Sequence, residues 1–172
     1  FDELFDILYT TKSKKWNIIQ EKQLLAIFKE SYQTVPAYKQ YIDTFKIDVT
    51  TVTKDTFGKI PSVTKKNYLR AYPWRDLCKK KSLAQDSLVM TSTSGSTGAP
   101  FYFPRTKDID VQSSVCHQMF LRSSGISKKS STLVIDCFGM GVWIGGLITY
   151  QAFSYIGERG YPLTIITPGI NK

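Results

Sequence analysis

The sequence predicts an α/β fold, with a helical N-terminal portion over residues 1–86 followed by an α/β portion over 87–172 that carries a β-hairpin and a βαβ unit. Three observations predict it. Apolar residues recur at helical spacing through the first third of the chain. From Ser87 the pattern changes to short apolar runs divided by a hydroxyl and glycine loop. Near the C-terminal end, two strand-like runs flank a glycine turn and a helical segment.

In the first portion, Leu4, Phe5 and Leu8 predict a helix over Phe1 to Tyr9, and Ile18, Ile19, Leu24, Leu25, Ile27 and Phe28 predict a second over Ile18 to Tyr32. Val35 to Ile42 restarts a short helix with Pro36 in its first turn, where a missing N–H costs nothing. Asp55 to Phe57 predicts a single turn. Thr64 is placed to cap a helix over Lys65 to Tyr72 that Pro73 stops.

In the second portion, Ser87 to Ser92 and Phe101 to Pro104 read as two strands of a hairpin. Thr106 starts a helix running to about Arg122, with Asp108 in its first turn and Gly125 at its end. Thr132 to Phe138 reads as a buried strand, Gly139 to Gly141 as a glycine turn, Val142 to Ile156 as a helix and Tyr161 to Thr167 as the next strand. That order is the pattern of a parallel crossover. A sheet of so few strands looks unfinished.

Composition narrows the function classes. With 172 residues, 42% of them hydrophobic, the chain can bury a core. No apolar run approaches the roughly 20 residues of a membrane-spanning helix. The N-terminal Phe1 to Asp6 is acidic and lacks the basic start and apolar stretch of a secretory signal. The three cysteines, Cys78, Cys116 and Cys137, lack metal-site spacing and are expected as buried reduced thiols, which places the protein in the cytoplasm. Cys116 and His117 are adjacent, and adjacent helical residues do not face each other, so no Cys/His nucleophile is expected. The sequence assigns no catalytic residue and no metal ligand.

The formal charge of +9 gathers at Lys12, Lys14 and Lys15, at Lys65 and Lys66, at Lys79 to Lys81, and at Lys128 and Lys129. A positive field favours anionic ligands and also serves solubility. No zinc-finger spacing or aromatic RNA-binding strand accompanies the lysines, so nucleic acid is not an expected partner.

The most informative segment is Thr91 to Pro100, Thr-Ser-Thr-Ser-Gly-Ser-Thr-Gly-Ala-Pro. Ser94, Gly95, Ser96, Thr97 and Gly98 can surround an anion with backbone N–H and hydroxyl donors, because glycine permits tight turning and close approach. The same composition also suits an exposed hairpin turn. The segment is not the common nucleotide-triphosphatase loop, since Ala99 stands where that motif requires lysine.

Four segments in order resemble one family. Ser94 to Pro100 is similar to the S-G-[ST]-T-G-x-P phosphate loop of adenylate-forming enzymes, in which lysine is frequent at the variable place. Tyr32-Gln-Thr-Val-Pro-Ala-Tyr38, Ile60-Pro-Ser-Val-Thr-Lys-Lys-Asn-Tyr-Leu-Arg70 with its trailing Tyr72-Pro73, and Phe138-Gly-Met-Gly-Val-Trp-Ile-Gly-Gly-Leu147 resemble segments of the phenylacetate–coenzyme A ligase branch. The resemblance spans the chain from Leu24 to the last strand.

It implies an incomplete N-terminal part of an adenylate-forming ligase domain, containing 1–86 and 87–172 together. It further implies ATP, Mg²⁺ and coenzyme A as cofactors and a small carboxylic acid as substrate. The acid attacks the α-phosphate of ATP, and a thiol then displaces AMP. Ser94 to Gly98 would hold the ATP phosphates, with Arg105 a speculative substitute for the absent lysine. Phe138, Gly139, Met140 and Gly141, with Trp143 and Ile144, would border the acyl pocket, although aromatic residues at such positions also serve as core. Lys65, Lys66 and Arg70 read as surface charges. An acyl-protein synthetase with a carrier or acceptor protein thiol, or a non-catalytic anion-binding module on the same scaffold, is the alternative. As an N-terminal fragment, the chain alone is expected to show no adenylation.

Overall fold

The computed structural model describes residues 2–79, 87–93 and 99–170. The chain divides into two compact units, 1–85 and 86–172.

The first unit is helical. Helix α1 covers Asp2–Thr10, α2 Ser13–Thr34, α3 Pro36–Thr44 and α4, a single turn, Lys54–Phe57. Helix α2 starts earlier than the apolar spacing predicts. Lys14, Lys15 and Trp16 are good or neutral helix formers, so helix formation there does not require an apolar face. Helices α2 and α3 meet at Val35, whose extended backbone (φ −109°, ψ 104°) is the conformation preferred before proline. Pro36 then occupies the first turn of α3.

The core of this unit is aromatic. Phe28, Ala37, Tyr41, Ile42, Val52 and Tyr68 are buried together. Phe28 meets Tyr38 and Phe57 edge-on, and Tyr41 meets Tyr68 with ring centroids 5.6 Å apart. Such edge contacts add about 0.5–1.5 kcal/mol per pair beyond burial.

The segment after Ile60 is not the α-helix the sequence predicts over Lys65 to Tyr72. It is one wide turn, Lys65–Leu69, in which the Leu69 and Arg70 N–H groups donate to the carbonyls of Thr64 and Lys65, five residues back. Thr64 does cap it. Its hydroxyl accepts from the Asn67 N–H (3.1 Å), and Asn67 Oδ1 accepts from the Thr64 N–H (2.6 Å). Asn67 Nδ2 also donates to the Ser62 carbonyl, which accepts from Tyr41 Oη as well. The Thr-x-x-Asn pattern inside the Ile60 to Arg70 motif therefore ties the turn to the aromatic core. A 3₁₀ turn at Trp74–Leu77 follows.

The second unit contains strands β1 (Val89–Ser92) and β2 (Tyr102–Arg105), helix α5 (Lys107–Ser123), strand β3 (Thr132–Ile135), helix α6 (Ile144–Glu158) and strand β4 (Leu163–Ile166). β1 and β2 pair antiparallel, with Val89 opposite Arg105 and Ser92 opposite Tyr102. β3 and β4 pair parallel, with Thr132 opposite Leu163 and Ile135 opposite Ile166, and α6 makes the crossover. Both helices end on a left-handed glycine, Gly125 (φ 78°) and Gly160 (φ 89°). In each, the next residue donates back across the terminus, Ile126 N–H to Leu121 O and Tyr161 N–H to Ile156 O. Leu121, Phe153, Ile156 and Tyr161 form the core, with Val134, Leu163 and Ile165 of the sheet against them.

Three expectations are corrected here. β3 stops at Ile135 rather than Phe138, and only one of its faces is covered, since Leu133 and Ile135 are exposed. α6 begins at Ile144 rather than Val142. Cys116 and Cys137 are exposed and Cys78 half-buried, so the thiols are not core residues. No described helix is long and apolar enough to cross a membrane.

The Tyr68 hydroxyl tests the first core. Burial, followed by the neighbouring Tyr38 and Tyr72 hydroxyls, pushes its pKa up from 10.0 to about 12. The folded state therefore holds this proton more tightly than the unfolded state, and its contribution is fully present below pH 10 and is lost as pH rises toward 12. Chemical denaturation across that window should show stability falling with pH, and Tyr68→Phe should flatten that part of the fall.

Candidate functional site

Strands β1 and β2 flank the hydroxyl and glycine segment in sequence. Beyond their last paired residues, the Thr93 N–H donates to the Phe101 carbonyl (3.1 Å), and the Phe101 N–H donates to Thr93 Oγ1 (3.2 Å). The predicted phosphate-holding residues Ser94, Gly95, Ser96, Thr97 and Gly98 lie outside the described residues. What the structure does describe is the pair of strand ends between which they run, with Thr91 and Ser92 fully buried.

The glycine turn lies against the same hairpin. The Ser92 N–H donates to the Val142 carbonyl at 2.7 Å, and Ser92 and Trp143 form a parallel bridge. This bond explains the late start of α6. Trp143 is still extended (φ −71°, ψ 126°), and the Val142 carbonyl just before it is used by the hairpin. The strand entering the hydroxyl loop and the predicted acyl-pocket turn are thus adjacent.

Each residue of the turn has a distinct environment. Asp136, directly after β3, is 3% exposed. Its backbone N–H donates to the Ile166 carbonyl (2.8 Å), extending the parallel register by one residue. Its Oδ1 accepts from the Phe138 N–H at 3.0 Å, folding the chain back on itself. Phe138 is 58% exposed, so the core role for this ring is not what the structure shows. Gly141 has a φ of 82°, a conformation other residues rarely adopt. Gly146 is required by space, and a side chain at Gly139 would press on the Trp143 ring. A Cβ at Gly139 would stand 2.9 Å from Trp143 Cδ1, and one at Gly146 would stand 2.5 Å from the Gly139 carbonyl oxygen and 2.8 Å from Met140 Sδ. Gly146 lets the first turn of α6 pack directly on the backbone of the loop that precedes it. Phe138, Val142, Trp143 and Ile144 together leave an exposed apolar surface on this turn.

Arg105 does not fill the role of the absent lysine. It sits at the end of β2 remote from the hairpin tip, is 3% exposed, and its Nε lies 2.8 Å from Asp110 Oδ1. The N–H is not aimed at that oxygen, so charge pairing rather than a linear hydrogen bond joins them. The pair belongs to a buried polar stripe on α5, Asp110, Ser114 and Gln118, spaced four residues apart on one face. Arg159 Nη1 donates to Ser114 Oγ (2.8 Å), and burial lowers the pKa of its guanidinium. His117 is likewise structural. Its Nδ1 lies 2.8 Å from the Ser113 carbonyl and its ring meets Phe153 edge-on.

Sequence reasoning missed Asp136 and Ser92. An acidic residue at the end of an apolar run, immediately before a glycine turn, was the available signal for Asp136. Nothing local marks Ser92, because its role depends on a partner fifty residues away.

No family model matches the chain, and no curated protein does. Among solved structures, the chain is similar to an open conformation of 2-hydroxyisobutyryl-CoA ligase in complex with 2-HIB-AMP and CoA. The TM-score is 0.69 and the identity 13%, over 95% of this chain and 36% of that one. At that identity the likeness is one of fold. The chain spans about a third of the ligase's length and has the fold of that part of an acyl-CoA ligase.

The packing of the glycine turn is testable without a ligand. Gly146→Ala would stabilise an unconstrained helix by up to about 1 kcal/mol. Here the added methyl meets backbone, so overpacking by about 1–3 kcal/mol prevails. Urea denaturation should show net destabilisation, and a gain in stability would contradict the packing described.

Proposed function

We propose that these residues belong to an ATP-dependent, AMP-forming carboxylic acid ligase of the phenylacetate–coenzyme A ligase type. The observation that carries this reading is the acyl-CoA ligase fold over 95% of the chain. It is supported by four motifs in order, and the glycine turn carries the Val142 carbonyl that accepts from the Ser92 N–H, two residues before Ser94 in sequence.

In this reading the acid's carboxylate attacks the α-phosphate of ATP, an acyl adenylate forms and pyrophosphate leaves. Ser94 to Gly98 are assigned to the phosphates, with backbone N–H groups and the Ser96 and Thr97 hydroxyls stabilising the charge that grows on the leaving group. Ala99 removes the usual lysine, and Arg105 is committed to Asp110. Charge neutralisation then falls to the loop's dipoles and to Mg²⁺. Among the described residues no group of three or more His, Cys, Asp or Glu side chains is placed to hold a metal ion, so Mg²⁺ is assigned to the nucleotide's own phosphates.

Phe138, Gly139, Met140 and Gly141 are assigned to the acyl site, where the exposed rings of Phe138 and Trp143 suit an apolar acid. Coenzyme A is the proposed acceptor, since the similar ligase was solved with CoA bound.

The test is ATP–pyrophosphate exchange by the full polypeptide that carries these residues, across a panel of apolar acids. Thr97→Ala combined with Gly98→Ala should lower exchange by about a hundredfold or more, the usual cost of losing an oxyanion donor, with the thermal transition unchanged. Exchange that survives the double substitution would remove the loop from the mechanism. Anion binding with no exchange for any acid would favour a non-catalytic module.

A further inference from the structure

The proposed reaction leaves one buried charge at the turn unused. Asp136 is 3% exposed and stands at the carboxyl end of β3 in a parallel pair, the edge at which open α/β sheets place their ligands. Oδ1 has the Phe138 N–H, but Oδ2 is buried with no hydrogen-bond partner among the described residues. A buried carboxylate oxygen left unpaired is costly, because the water it gave up is not replaced.

A purely local role does not account for this. Holding the Phe138 N–H needs one oxygen, which asparagine would supply without a buried charge. A resident metal is not indicated, since no cluster of metal-ligating side chains surrounds Asp136 among the described residues. The neighbouring turn residues are apolar, with Phe138, Val142, Trp143 and Ile144 all exposed. A plain hydrocarbon acid would satisfy those rings and leave Oδ2 as it is. An acid carrying a hydroxyl or ammonium group next to its carboxylate would satisfy both.

We propose that Asp136 is a specificity determinant of the acyl site: Oδ2 accepts a hydrogen bond from a hydroxyl or ammonium donor on the acid, so the site favours a hydroxy or amino acid over the hydrocarbon acid of the same skeleton. The inference rests on the ligase reading and narrows its substrate class. Oδ2 is covered in the ligand-free fold, so binding includes a shift of the turn that Oδ1 tethers. Gly139 and Gly141 supply the backbone freedom for that shift.

The experiment compares phenylacetate with mandelate and 2-phenylglycine, which share one carbon skeleton, as substrates for pyrophosphate exchange by the full polypeptide. A hydrogen bond to a charged group predicts a KM about tenfold or more lower for at least one donor-bearing acid. Asp136→Asn keeps an oxygen for the Phe138 N–H and puts an amide donor where Oδ2 was, so the KM ratio should fall toward one. A wild-type ratio near one, or a ratio that the substitution does not move, overturns the inference. The wild-type comparison decides the matter even where the variant fails to fold. Exchange with phenylacetate but no preference leaves the ligase reading standing and removes this inference. If no acid supports exchange, the ligase reading falls, and Trp143 fluorescence in a Trp16→Phe, Trp74→Phe background reads the same ratio from binding alone. Absence of any acid-dependent fluorescence change removes both.

Discussion

One backbone hydrogen bond organises the second unit. The Ser92 N–H reaches the Val142 carbonyl at 2.7 Å and joins a two-stranded hairpin to a two-stranded parallel sheet. Neither pair has enough strands to be stable alone, since isolated two-stranded elements are marginal in water. Through this bond the end of β1 packs against the segment that leads into α6. The constraint has a local consequence. The backbone from Phe138 to Trp143 must be extended enough to present a carbonyl sideways, yet turn sharply enough to enter a helix one residue later. Gly141 with its positive φ and Gly146 with its missing side chain are what allow both.

The polar interior of this unit follows a different logic from the aromatic interior of the first. In the first unit, Tyr41 and Asn67 meet on the Ser62 carbonyl, so these polar groups are paired locally. In the second, Arg105, Asp110, Gln118, Asp136 and Arg159 all bury a polar atom that lacks a hydrogen-bond partner. Buried polar atoms in this number usually engage ordered water or a ligand. The α5 stripe lies between helices and suits water, because Ser114, Gln118 and Arg159 offer several neighbouring partners. Asp136 lies at a strand end beside exposed rings, and among the described residues its side chain has one such partner, the Phe138 N–H, which sets it apart from the stripe.

How much of this was legible in the sequence depended on the range of the interaction. Capping and termination are local, and Thr64, Pro36 and Gly125 announced their roles correctly. The crossover was legible too, because the β3, α6 and β4 runs differ in period and are divided by glycine turns. What failed was non-local. The wide turn at Lys65–Leu69 follows from Asn67 being drawn to Thr64, Ser62 and Tyr41 together, which no helical periodicity encodes. The shortened β3 follows from Asp136 taking the Phe138 N–H. The exposed Cys116 and Cys137 show that an apolar neighbourhood in sequence does not fix burial in space. The hydroxyl and glycine loop was found by composition alone, and its residues fall outside those the structure describes.

The charge at the proposed phosphate site is the sharpest point at which sequence and structure meet. A net charge of +9 suggests abundant cations for an anionic ligand, yet the lysine expected after Gly98 is Ala99. The nearest arginine in sequence, Arg105, has a buried carboxylate at 2.8 Å. Redirecting Arg105 to a phosphate would leave Asp110 buried and uncompensated, at a cost of several kcal/mol for breaking such a pair. That cost exceeds the usual return of about 1.5–3 kcal/mol from one charged hydrogen bond, so the pair stays closed. In the proposed reading, charge neutralisation at a bound phosphate therefore does not draw on Arg105.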